Sequence, residues 1–168
     1  MKSFFKLGIS IIVFVLILSS AFAQAQFQFF TNPLIGEQAP DFKLETLSGV
    51  SKTFSEYRDG KSTIIFFWAT WCPHCRTQIK ILSEQKQELK EKNIEIVLVD
   101  LGESKSQVKS YVEGNNIDYD VFLDTEGVLS EVYGIVGLPT FYFVNKNGII
   151  KASEHGIPDN YESILLEE

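Results

Sequence analysis

Apolar positions along this chain fall into short continuous runs, separated by longer stretches in which they recur every three or four residues. The runs at 64–68 and 94–99 are rich in Ile, Val and Phe and read as buried strands, the second apolar throughout except for Glu95. Between them, 76–92 contains neither Gly nor Pro. Cys75, Ile79, Leu82 and Leu89 fall on one face there, which predicts a long amphipathic helix. Further helices are predicted at 104–113, stopped by Gly114, at 126–133, closed by Gly134, and at 159–166. Short strands are predicted at 121–123, 141–144 and 149–152, the last two flanking the hairpin turn Asn145-Lys146-Asn147-Gly148. Near the start, 42–47 and 50–54 flank Ser48-Gly49 as a second hairpin, and 55–59 makes one helical turn. Strands alternate with helices long enough for parallel crossovers, and a hairpin and helix close the chain. That order predicts an α/β sandwich with a mixed central sheet.

The first 23 residues break this pattern. Lys2 and Lys6 precede an apolar run at 7–18, and Ser19-Ser20-Ala21-Phe22-Ala23 offers a small-x-small cleavage site before Gln24, with a second before Gln26. These features predict a cleaved export signal at 1–23. The alternative is an uncleaved membrane anchor, although the apolar stretch is shorter than the roughly 20 residues of a spanning helix. No Cys follows the run, so a lipid-modified terminus is not indicated. Residues 24–35 read as a flexible lead-in and 36–168 as the folded domain. Either reading of the leader places the domain outside the cytoplasm, in a periplasm-like compartment where disulfides persist.

Composition narrows the field further. The chain has 168 residues, 45% of them apolar and 22% charged, with a net charge of −7. That is one domain plus an appendage. No basic patch stands out, so nucleic acid is not an expected partner.

The candidate chemistry is Trp71-Cys72-Pro73-His74-Cys75, which holds both cysteines of the chain. It lies where the strand at 64–68 hands over to the helix, so unpaired N–H groups and the helix dipole favour a thiolate, the reactive form of cysteine. Pro73 suits the first helical turn because its missing N–H has no partner to lose. Cys72, nearest the helix start and best exposed, is the expected nucleophile, and Cys75, one turn further in, the resolving thiol. A structural disulfide is the plainer alternative, but a two-residue loop constrains the unfolded chain little. A zinc half-site is another, but four ligands are wanted and no second pair exists. His74, if charged, would favour the Cys72 thiolate; otherwise it is a spacer. Trp71 is expected to cover Cys72, and Trp68 to lie in the core. His155 reads as a surface residue with no reason to lie near the cysteines.

Phe67-Trp68-Ala69-Thr70-Trp71-Cys72-Pro73-His74-Cys75, followed by Gly137-Leu138-Pro139-Thr140, resembles the thioredoxin superfamily. Within it, Gly36-Glu37-Gln38-Ala39-Pro40-Asp41-Phe42, Val99-Asp100-Leu101-Gly102-Glu103-Ser104 and Phe122-Leu123-Asp124-Thr125 are similar to segments of the TlpA/ResA-type thiol–disulfide oxidoreductases. The resemblance implies a thioredoxin fold: a three-layer α/β/α sandwich with an N-terminal β-hairpin and a central insertion at about 104–131. It implies a cis Leu138–Pro139 bond, with Leu138 and Pro139 binding substrate beside Cys72. It implies exchange with protein thiols and disulfides and with a membrane or periplasmic redox partner, by a monomer. No metal and no organic cofactor is expected; the Cys72–Cys75 disulfide is the redox centre. The chain departs from the pattern twice. Phe66 stands where thioredoxins place a buried carboxylate, and Gln78 where ResA-type reductants often carry Glu, so both positions lack a base for Cys75. Two rival functions are a copper metallochaperone using Cys72, Cys75 and a histidine, and a thiol peroxidase. Peroxiredoxins carry Thr or Ser three residues before the reactive Cys, and here that residue is Ala69.

Overall fold

The computed structural model describes residues 32–166. The expected export signal at 1–23 and the expected lead-in up to residue 31 lie outside the described residues. Seven strands and five helices follow one another: β1 (Lys43–Glu45), β2 (Ser51–Thr53), α1 (Phe54–Arg58), β3 (Ser62–Trp68), α2 (Pro73–Glu91), β4 (Ile94–Leu101), α3 (Lys105–Gly114), β5 (Val121–Asp124), α4 (Val128–Val132), β6 (Thr140–Val144), β7 (Ile150–Glu154) and α5 (Tyr161–Leu166). β1 and β2 form the antiparallel N-terminal hairpin. The other five strands make one sheet in the order β5-β4-β3-β6-β7, with β3, β4 and β5 parallel and β6 and β7 antiparallel. This is the mixed sheet of a thioredoxin fold.

β3 and β4 read as unbroken apolar runs because both of their faces are covered. On one face Ile64, Phe66, Trp68, Leu98, Phe141 and Phe143 pack against Cys75, Ile79 and Leu82 of α2, Val108 of α3 and Leu165 of α5. On the other, Ile65, Phe67, Val97, Val99 and Tyr142 pack against Phe42, Phe54 of α1 and Leu129 of α4. The alternation of side chains along each strand thus separates two cores, which gives the three layers.

Local signals set several boundaries. Thr53 caps α1 and Ser104 caps α3, each in a reciprocal capping box with Glu56 and Gln107 respectively. The β6–β7 turn is held by Asn145 Oδ1, which accepts the N–H groups of Asn147 and Ile149 at 3.1 and 2.9 Å. Gly148 in that turn has φ +86°, and a Cβ there would lie 2.7 Å from Gln38 Oε1, so the position requires glycine on two counts. α4 is shorter than the pattern at 126–133 predicts. Asp124 at the end of β5 accepts the N–H groups of Val128 and Leu129 at 3.1 and 2.8 Å, which starts the helix two residues later. α2, conversely, starts three residues earlier than predicted, because Cys72 itself caps it.

Candidate active site

β3 ends at Trp68 in the centre of the sheet, and the chain turns through Ala69, Thr70 and Trp71 into α2. Cys72 is the N-cap residue: its backbone is extended, and its Sγ accepts the Cys75 N–H at 3.2 Å. Cys72 and Cys75 are joined by a disulfide, with Cα atoms 5.2 Å apart. An N-cap sulfur faces the free N–H groups of the first turn and the positive end of the helix dipole, so negative charge on Cys72 is favoured there. Pro73 is the first helical residue.

The cysteines keep their expected order of exposure, but the site is more closed than expected. Cys72 is only 3% exposed and Cys75 wholly buried, whereas Trp71 is 64% exposed. Cys72 therefore remains the more accessible cysteine by a small margin, while Trp71 offers a broad apolar face to solvent. His74 is exposed. Trp68 lies fully buried in the core, as its place on β3 requires.

The turn before Cys72 is clamped from a distance. Glu103 Oε2 accepts the Thr70 N–H at 2.5 Å and Oε1 the Thr70 hydroxyl at 2.7 Å. Thr70 O accepts Arg76 Nε at 2.8 Å, and the Arg76 guanidinium lies 5.6 Å from the Tyr111 ring centre. Tyr111 in turn packs on Trp68, with ring centres 5.7 Å apart. Sequence reasoning missed Glu103 and Thr70 as site residues. The signal was an acid in a Gly-Glu-Ser turn directly after a buried strand, which has no structural need of a carboxylate.

Pro139 precedes β6, and the β3–β6 register pairs Phe67 with Thr140, which brings Pro139 beside the end of β3 where the cysteine turn begins. The Leu138–Pro139 peptide bond is cis. Leu138 packs against both core clusters. His155 does not stay apart from this region. It lies one residue beyond β7, and its Nδ1 donates to Pro139 O at 2.7 Å. That bond requires a proton on Nδ1, because a carbonyl can only accept. The antiparallel β6–β7 pairing brings residues 16 apart together here, which sequence distance alone does not reveal. Gln78, one turn after Cys75, lies under the neighbouring segment: its Nε2 is 3.5 Å from where a Cβ on Gly156 would stand. Gln78 Oε1 is buried without a hydrogen-bond partner among the described residues. Among those residues no group of three or more His, Cys, Asp or Glu side chains is arranged to hold a metal ion. No described helix is long and apolar enough to cross a membrane.

Phe66 points into the α2-side core, its ring stacked on Phe141 with centres 4.2 Å apart and planes 3° from parallel. On the neighbouring strand, Asp100 stands opposite Trp68 and is fully buried. Burial, reinforced by the nearby Glu103 carboxylate, pushes its acid up to about 8.

Comparison with known proteins agrees with this geometry. The model of the AhpC/TSA family matches residues 35–153. Thiol-disulfide oxidoreductase ResA of Geobacillus thermodenitrificans is 29% identical over 90% of this chain and 88% of its own length. ResA of Bacillus cereus is 30% identical over 82% of this chain and 81% of its own. Among solved structures, the thioredoxin domain of a thiol-disulfide oxidoreductase from Bacteroides vulgatus superposes with a TM-score of 0.68 at 26% identity, covering 77% of this chain and 94% of that one. With a disulfide-linked pair capping a central helix, on a fold and a sequence shared with these enzymes, the chain belongs to the thioredoxin-like AhpC/TSA family and is a thiol–disulfide oxidoreductase.

Proposed function

We propose that this oxidoreductase works outside the cytoplasm as an acceptor of electrons from protein thiols, through Cys72. The observation that carries the reading is the N-cap position of Cys72, whose sulfur takes the Cys75 N–H. A substrate thiolate attacks Cys72 Sγ, the Cys72–Cys75 bond breaks, and Cys75 leaves as a thiolate that takes a proton. A second substrate thiolate then attacks the substrate sulfur of the mixed disulfide, and Cys72 leaves as a stabilised thiolate. The substrate loses two electrons and gains a disulfide; the enzyme gains the two electrons as a dithiol. No metal or organic cofactor enters these steps. Leu138 and Pro139, beside the end of β3, supply the backbone edge against which an extended peptide would lie. Trp71, exposed next to Cys72, offers apolar contact. Gln78 leaves Cys75 without an adjacent titrating base. A soluble monomer of this kind would pass its electrons on to a membrane or periplasmic redox partner.

Direction follows from leaving-group quality. A stabilised Cys72 thiolate leaves readily, so the disulfide is reduced readily. The potential is expected to lie above the thioredoxin value of about −270 mV. His74→Gly removes an imidazole two residues from Cys72 in the chain and is expected to lower the potential by about 30 mV, equivalent to roughly 1.4 kcal/mol. A redox titration of both proteins side by side checks this. A wild-type potential at or below that of thioredoxin, unmoved by the substitution, assigns the protein to the reductants.

Export rests on Lys2, Lys6, the apolar run and the Ala-Phe-Ala site. Protein recovered from outside the cytoplasm is expected to begin at Gln24 or Gln26 when its N-terminus is sequenced. Full-length protein starting at Met1 in the membrane fraction identifies an anchor instead.

A further inference from the structure

β4 is apolar along its length apart from Glu95 near its start and Asp100 near its end. Glu95 is half-buried and has a salt bridge, to Lys61 at 2.9 Å. Asp100 has neither advantage. It is fully buried, and neither of its oxygens makes a well-formed hydrogen bond among the described residues; its polar neighbour is Glu103, whose carboxylate raises the Asp100 acid and whose backbone N–H partly offsets that rise. Ionising such a carboxyl costs far more than ionising one in water, so at neutral pH it keeps its proton. Its place in the fold makes this matter. In the β3–β4 register Asp100 is the partner of Trp68, four residues before Cys72, on the sheet face that carries Phe66, Leu98 and α2.

From β3, Trp68 presents an indole whose Nε1 is also buried without a partner. From the turn after β4, Glu103 is 7% exposed, with both carboxylate oxygens engaged by Thr70. From α3, Tyr111 packs on Trp68. From α2, Arg76 is committed to Thr70 O and to the Tyr111 ring. From β5, Asp124 is engaged by the N–H groups that start α4. The charges closest to Asp100 are therefore acids, and the one cation of the cluster is directed at Thr70.

We propose that Asp100 and Glu103 form a proton-holding pair that positions the Thr70–Cys72 turn and sets how readily the Cys72–Cys75 disulfide is reduced. The proposal rests on the thiol–disulfide exchange reading, and both acids are positioning residues. With Asp100 protonated, Glu103 carries the single charge of the pair and directs it at the Thr70 N–H and hydroxyl. With Asp100 ionised, two carboxylates lie together beneath the turn. Their repulsion loosens the Thr70 clamp, and the added charge opposes a thiolate on Cys72. Reduction adds two electrons from a dithiol, with protons taken up from solvent. In alkaline solution part of that proton uptake falls on Asp100, because a Cys72 thiolate favours its neutral form. Loss of the Asp100 proton therefore makes the disulfide harder to reduce than the thiols alone require.

The test is an equilibrium titration of the full chain against a dithiol–disulfide buffer from pH 6 to 10, for wild type, Asp100→Asn and Glu103→Gln, reading the cysteine state by alkylation mass. Asn keeps the shape of Asp100 and cannot ionise. The ratio of the wild-type to the Asp100→Asn reduction constant is expected to be flat from pH 6 to 7, then to fall by about threefold to tenfold by pH 9.5. In Glu103→Gln the fall is expected to begin at lower pH, since the neighbouring negative charge is gone. A ratio independent of pH overturns the proposal. If Asp100→Asn does not fold, the wild type alone decides, by NMR titration of the Asp100 carboxyl. A higher apparent pKa in the reduced than in the oxidised protein supports the proposal, and equal values overturn it. A Cys72–Cys75 pair that no dithiol reduces at any pH overturns the exchange reading itself.

Discussion

Cys75→Ser protein is expected to accumulate mixed disulfides with thiol-bearing proteins through Cys72, and Cys72→Ser protein to accumulate few or none. The expectation follows from the two sulfurs' places on α2. Cys72 caps the helix, with its sulfur on the Cys75 N–H, and retains a small exposed surface. Cys75 lies within the first turn, wholly buried among core side chains. In Cys75→Ser protein the Cys72 thiolate attacks a disulfide of another protein, one sulfur of that disulfide leaves as a thiolate, and the enzyme holds no second thiol to displace the sulfur left on Cys72. Without the resolving thiol the mixed disulfide has no internal exit. Either substitution should reduce turnover of a dithiol substrate by roughly three orders of magnitude or more, as loss of a member of a covalent catalytic pair does. Non-reducing electrophoresis of protein recovered from cells, with and without dithiol, reads the trapping, and insulin reduction or RNase reoxidation reads the turnover. Equal trapping by both variants would show that the burial difference does not decide the order of attack.

Phe66→Ala is expected to destabilise the fold by about 3–5 kcal/mol, a large share of the roughly 5–15 kcal/mol that holds a domain of this size together. Phe66 is fully buried in the central strand, and its stacked contact with Phe141 joins β3 to β6. Truncation removes an aromatic payload and leaves a cavity between the sheet and α2 that neither neighbour can fill without leaving its register. Urea unfolding followed by tryptophan fluorescence checks the value. Val136→Ala serves as the comparison: Val136 is 96% exposed, and its truncation should change stability by less than about 0.5 kcal/mol. A Phe66→Ala effect below about 1 kcal/mol would mean that the core repacks around the loss. This same residue stands where thioredoxins carry a buried acid. In this chain the position is packed as pure core, and the buried acid near the turn, Asp100, comes from the adjacent strand.

The amino-acid sequence by itself determined what depends on near neighbours along the chain. The runs at 64–68 and 94–99 became the two central strands, because a strand buried on both faces must be apolar at successive positions. The stripe of Cys75, Ile79, Leu82 and Leu89 is the buried face of α2, because those spacings return to one side of a helix. The hairpin turns and the Cys-Pro-His-Cys handover from strand to helix are likewise local. Tertiary structure alone decided the rest. The near-complete burial of Cys72 depends on what packs over the turn. The Glu103 clamp on Thr70 spans 33 residues, and the His155 bond to Pro139 spans 16 across a strand pairing. Asp100 follows the strand predicted at 94–99, and nothing in its near neighbours along the chain marks it as buried. Its burial follows from the register that sets it against Trp68 and from the layers that close over that end of the sheet. Local periodicity reports which face of an element is apolar. It carries no information about which charge a distant segment will cover, and that covering is what gives this site its electrostatics.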